Sequence, residues 1–203
     1  MSANVWYEEV NRGLINELMT HVKVKDPHGV LTALPRESFV VRKPEEEFKS
    51  EVYPCVSIYA LTSKFDPRRY YPYPVVMEQD KSTKTTLLED SAVPYNLSYQ
   101  IDFWTKYQED IDCMTRTWLM RHFRQFNLPV VDDGGVERTC NVLAEGSMYR
   151  SDLVKDKERL FHVSMKYSIW VEIDDEIRYN RPMVMEVDIE AKDNSTIDEG
   201  GKL

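Results

Sequence analysis

Only seven of the 203 residues are glycine, where an average composition carries about 7%. That scarcity argues against Gly-rich phosphate loops, collagen-like repeats and flexible linkers. Cysteine is also sparse: Cys55, Cys113 and Cys140 are far apart and odd in number. Neither a disulfide framework nor a thiolate zinc site is indicated, and a reducing, cytosolic site of synthesis fits best. No stretch approaches the roughly 18 apolar residues of a membrane span. The N-terminus lacks the basic start and apolar segment of a signal peptide. No basic run exceeds two residues, and Lys+Arg 26 against Asp+Glu 35 gives a net charge of −9. A chain that tracks phosphates shows a basic face, so sequence-specific nucleic-acid binding is not expected.

Catalytic patterns are missing as well. There is no phosphate loop, dinucleotide fingerprint, HExxH, GxSxG or CxxC. The four histidines, His21, His28, His122 and His162, read as mutually distant. His122 falls within an apolar helical arc and reads as a satisfied core residue. Asp110 and Asp112 read as first-turn helix acids, and Asp174-Asp175-Glu176 as a solvated turn. Cys113 lies near a helix start, where a thiolate is favoured, but no histidine accompanies it. The expectation is therefore no enzyme, no cofactor and no metal.

What the chain does have is periodicity. Residues 3–22 read as an amphipathic helix with Tyr7, Val10, Leu14, Ile15, Leu18 and Val22 on one face. A second helix is expected over 109–127, with Ile111, Met114, Trp118, Leu119, Phe123 and Phe126 inward and Pro129 as its stop. Strands are expected at 38–41 and 54–61. Two longer segments alternate unusually well: Tyr95, Leu97, Tyr99, Ile101 and Phe103 share a face, as do Phe161, Val163, Met165, Tyr167, Ile169, Val171 and Ile173, with Trp170 the exception among the outward positions. Asp132-Asp133-Gly134-Gly135 marks a hairpin between strands at 130–136 and 136–144. The fold expected is α+β, a mostly antiparallel sheet covered by two amphipathic helices. Residues 1–173 form the expected domain, and 174–203 an acidic C-terminal arm and disordered tail.

Two segments stand out as contact candidates. Four of the ten prolines lie between 67 and 94, so residues 66–93 read as one long Pro/Tyr loop outside the sheet. Its Arg68, Arg69, Tyr70, Tyr71 and Tyr73 suit a protein interface or stacking on bases; the acidic chain favours the protein. In the arm, Met183, Met185, Val187 and Ile189 alternate with Glu186, Asp188 and Glu190. That stripe suits a last strand in its own sheet or addition to a neighbour's edge.

The leading helix, the Pro-opened strand Pro54-Cys55-Val56-Ser57-Ile58, and Tyr95–Trp104 running straight into the helix with Met114, Trp118 and Leu119 together resemble the tail-terminator and tail-completion (neck) proteins of tailed bacteriophages. The resemblance spans roughly residues 5–173 and is one of element order. The longer 66–93 segment and the acidic extension depart from it. It implies a structural virion protein: a homo-oligomeric ring, usually of six, at the tail end, assembled in the host cytoplasm. Such a ring stops tail-tube polymerisation and joins the tail to the head connector. A head–tail connector or neck/collar ring is the alternative station. An adaptor module, or an enzyme built from scattered acids, is the alternative of another class.

Overall fold

The computed structural model describes residues 6–42, 52–73, 75–80, 85–132, 134–155, 158–173 and 178–182. Helix α1 spans Tyr7–His21 and opens where the Glu9 carboxylate accepts the Trp6 N–H at 3.0 Å. Its buried stripe is Val10, Gly13, Leu14, Ile15 and Leu18, the face expected from the 3.6-residue period. A small hairpin follows, β1 (Lys23–Lys25) against β2 (Leu31–Ala33). Sequence periodicity does not reveal it, because three-residue strands are too short to show alternation. Asp26 closes its turn by accepting the N–H groups of His28 and Val30.

The main sheet has six strands: β3 (Phe39–Arg42), β4 (Cys55–Phe65), β7 (Val93–Thr105), β10 (Glu158–Ile173), β9 (Glu137–Lys155) and β8 (Gln125–Val131), in that spatial order. Among the described residues, only the β3–β4 pairing in this sheet is parallel. The two alternating segments, β7 and β10, are central neighbours. They run antiparallel from Phe161 opposite Thr105 to Ile173 opposite Val93, so their inward sets stack on one face. Helix α2 (Gln108–His122) follows β7 after a two-residue step. Both helices pack on that same face and share one apolar core with it, including Leu14, Leu18, Ile58, Tyr99, Ile101, Met114, Trp118, Val142 and Tyr167. The fold is thus α+β, with a mostly antiparallel sheet and two helices, and the helices leave the opposite face to other side chains.

α2 ends at His122, five residues before the expected limit. Gln125–Val131 pairs with β9 instead, Gln125 opposite Leu143 and Val131 opposite Glu137. Pro129 is tolerated there because β8 is an edge strand. Phe126 still reaches the core, meeting Trp118 edge-on from β8 with ring centroids 5.7 Å apart. Phe123 does not: once the helical period ends, its ring is 64% exposed. The hairpin through Asp132-Gly134-Gly135 is present, and Asp132 ties it by accepting from Val136 N–H and Arg138 Nε, both at 2.8 Å.

Residues 66–93 are not one loop. Among the described residues, 66–73 and 90–92 are irregular. Between them, β5 (Val75–Asp80) and β6 (Thr85–Glu89) form a hairpin, and β11 (Arg178–Pro182) completes a second sheet of order β11-β6-β5. The prolines cluster at the start of the segment and do not interrupt the β-prone residues after them. Part of the expected arm is therefore a paired strand, with Pro182 at its last position. Residues 174–177 and 183–203, including Met183, Met185, Val187 and Ile189, lie outside the described residues.

The close approach of α1 to β8 depends on Gly13. A Cβ there would stand 2.8 Å from Val130 Cγ1 and 2.9 Å from the Pro129 carbonyl. Alanine is the better helix former by about 1 kcal/mol, yet Gly13→Ala is expected to lower stability by about 1–3 kcal/mol through overpacking. A urea denaturation series measures this, and a stabilised variant would show that the helix can retreat from the strand.

Candidate assembly surfaces

The Pro/Tyr turn presents its residues unequally. Arg69 is held by its own fold: its guanidinium donates to Asp66 Oδ2 (2.9 Å), the Tyr95 carbonyl (3.0 Å) and Asn96 Oδ1 (2.9 Å), and lies over the Trp170 ring. These bonds hold the Asp66 carboxyl below its ordinary pKa, the Arg69 hydrogen bond contributing most. Tyr70 leans edge-on against Phe65. Arg68, Tyr71 and Tyr73 are exposed, and the last two rings meet at 5.2 Å. The turn thus offers three exposed tyrosines on an anchored base, Tyr70 the least exposed of them.

A larger apolar surface comes from residues that periodicity places in the core or leaves unremarked. A cleft of about 430 Å³ is lined by Leu119, Phe123, Leu143, Met148, Met165 and Tyr167. Phe123, Leu143 and Met148 are all more than two-fifths exposed. β9 is irregular here: Met165 faces Met148, but Tyr167 faces Ala144, so β9 carries extra residues in between. Gly146, at φ 78°, takes the left-handed conformation this bulge requires. β8 pairs with β9 only over Glu137–Leu143. Beyond Leu143 the β9 ladder has no strand on its outer side among the described residues, and the cleft begins there. The sequence signal for this site was the length of β9 against that of β8, visible only once register is known.

The sheet face away from the helices holds a polar network. Asp102, on the alternation's outward side, is 1% exposed. It receives His162 Nε2 at 3.2 Å and Gln100 Nε2 at 2.9 Å, and Arg42 Nη1 lies 3.6 Å away. Burial alone would raise its pKa, but hydrogen bonds from His162, Ser164 and Gln100 hold it below the ordinary carboxylate value. The Ser151 hydroxyl lies 3.1 Å from His162 Nδ1, giving a hydroxyl–imidazole–carboxylate order. The carboxylate is shared among these partners, and His162 is stacked on Trp104 at 3.9 Å.

The histidines are not all distant. His21 and His122, the last residues of α1 and α2, have ring centroids 5.2 Å apart. Glu17 Oε1 is 3.1 Å from His21 Nε2 and 2.9 Å from His122 Nε2. Helix packing brings these residues together across a separation of about a hundred positions, which no local pattern records. His122 is a buried core residue, as expected, stacked on Trp118. Burial lowers the His21 pKa, with repulsion from His122, Arg121 and Lys23 acting the same way against attraction by Glu17. Asp110 and Asp112 diverge: Asp110 accepts from Thr105 Oγ1, and Asp112 pairs with Arg150 at 3.0 Å. Burial raises the Cys113 pKa, so the helix start does not favour its thiolate.

No family model matches the chain, and no curated protein matches it. Among solved structures, it is similar to the sheath/tube terminator of an extracellular contractile injection system, PVC, determined by cryo-EM in the extended state. The identity is 15% and the TM-score 0.44, covering 98% of this chain and 66% of that one. This chain therefore spans slightly under two thirds of that terminator's length.

Proposed function

We propose that this chain is a non-catalytic structural subunit of a phage-tail-like assembly, a terminator that forms a ring at the tail end, stops tube growth and joins the tail to a head connector. The observation that carries the reading is the surface beside β9: beyond Ala144, whose N–H donates to the Arg124 carbonyl, a strand edge with no partner strand among the described residues runs alongside an exposed apolar cleft. A strand edge is a template for pairing with another chain, and strand addition takes its affinity from the main chain and its specificity from adjacent pockets. Tyr71 and Tyr73 supply a second, separate contact, as a subunit joining neighbours on two sides needs. The element order that resembles tail terminators is retained in the fold: α1 leads, and β7 delivers the chain directly into α2. A ring of six is the stoichiometry that resemblance implies.

Replacing Phe123 and Met148 together by Asp tests the reading. Both are exposed, so monomer stability should change by no more than about 0.5 kcal/mol each. Light scattering and electron microscopy should show loss of the ring. In cells with no wild-type copy, tails should be uneven in length or fail to join heads. A double variant that assembles normally would remove this surface from the interface, and a wild-type chain that stays monomeric with its tail partners would overturn the proposal.

A further inference from the structure

We infer that Glu17, His21 and His122 form a binding site for a divalent transition-metal ion of the Zn2+ class, with a fourth position open to water. Three donor atoms converge there: Glu17 Oε1, and the histidine Nε2 atoms at 3.1 and 2.9 Å from it, all within 4.8 Å of one another. A tetrahedral ion with bonds of about 2.0–2.1 Å holds its ligand atoms about 3.3 Å apart, so the side chains need only small adjustments.

Hydrogen bonding fixes the His122 tautomer in the form a ligand needs. Its Nδ1 lies 3.1 Å from the Trp118 carbonyl, which can only accept, so Nδ1 carries the proton. A backbone carbonyl on the distal nitrogen is the usual orienting contact for a metal-bound histidine. The Nε2 atom then faces the Glu17 carboxylate at 2.9 Å, and a cation between them would take a lone pair from each.

The electrostatic setting agrees. His21 ends α1 and His122 ends α2, so the negative ends of two helix dipoles meet at this point and favour a cation. The remaining charges facing it are Lys23 and Arg121, which oppose binding. Imidazole and carboxylate ligands select Zn2+ and its neighbours over Mg2+ or Ca2+, which prefer all-oxygen shells. Glu17 and His21 are about one-fifth exposed, while His122 is almost fully enclosed, which leaves a route to the ion from the solvent side. Binding there would clasp the last turn of α1 to the last turn of α2.

Co2+ titration of the metal-free full-length chain tests this. The wild type should take up one Co2+ with the visible absorption of a four-coordinate ion, displaced by Zn2+, and Zn2+ should raise the melting temperature. Glu17→Gln and His21→Ala should lose the absorption and weaken binding by at least about tenfold, while melting like the wild type in chelator. His28→Ala should keep both responses. If His21→Ala does not fold, Glu17→Gln decides alone, because it keeps the side-chain shape. A wild type without four-coordinate absorption, or absorption that survives Glu17→Gln, would overturn the site. The readout uses the isolated chain, so it does not depend on whether the chain assembles.

Discussion

Trp118→Ala is expected to lower the stability of the chain by about 3–5 kcal/mol, the range for emptying a large aromatic site in a core. Trp118 is fully buried at the centre of the helix-covered face. Its Nε1–H donates to Tyr167 Oη at 2.7 Å, and the Tyr167 hydroxyl donates onward to Met165 Sδ at 3.7 Å. The indole is also stacked on His122 at 3.8 Å and met edge-on by Phe126. Alanine therefore opens a cavity and also leaves the Tyr167 hydroxyl without its donor in a setting whose burial pushes that phenol up to about 12. Trp118→Phe separates the two effects: it keeps most of the volume and should lose about 0.5–1.5 kcal/mol for the missing hydrogen bond. Urea midpoints of the three proteins measure both terms. An unchanged midpoint for Trp118→Ala would mean that α2 does not dock on the sheet through this residue.

Asp102→Ala should be comparably damaging, by about 3–5 kcal/mol near neutral pH. Removing the buried carboxylate leaves the groups that donate to it without their acceptor. Arg42 and His162 would both lose their carboxylate, and Gln100 and Ser164 a hydrogen-bond acceptor. The effect must depend on pH in one direction. The folded Asp102 carboxyl has a depressed pKa, so its stabilisation is complete above the unfolded value of about 3.9 and is lost as pH falls through the folded value. The difference between wild type and variant should therefore shrink in acid. Urea midpoints at neutral pH and at a pH below the ordinary carboxylate range check this. A gap that stays constant with pH would show that the loss is one of packing and not of charge.

Strand alternation and helix periodicity are local properties, and they determined most of the scaffold. The inward faces of β7 and β10, the apolar stripe of α1, the first four turns of α2 and the Asp-Gly hairpin were legible because a period of 2 or 3.6 residues needs no knowledge of the rest of the chain. Tertiary structure decided what such patterns cannot encode. α2 stops at His122 because β9 recruits Gln125–Val131, and that recruitment turns Phe123 from an expected core residue into the rim of an exposed cleft. Val75–Asp80 and Thr85–Glu89 pair as a hairpin, and Arg178–Pro182 returns from far along the chain to extend it into a three-stranded sheet through β6. Asp102 sits on the polar side of a regular alternation, yet cross-strand neighbours bury it, since register sets which side chains stand opposite. Glu17, His21 and His122 meet only because two helix ends are packed together, and sequence separation holds no trace of that distance.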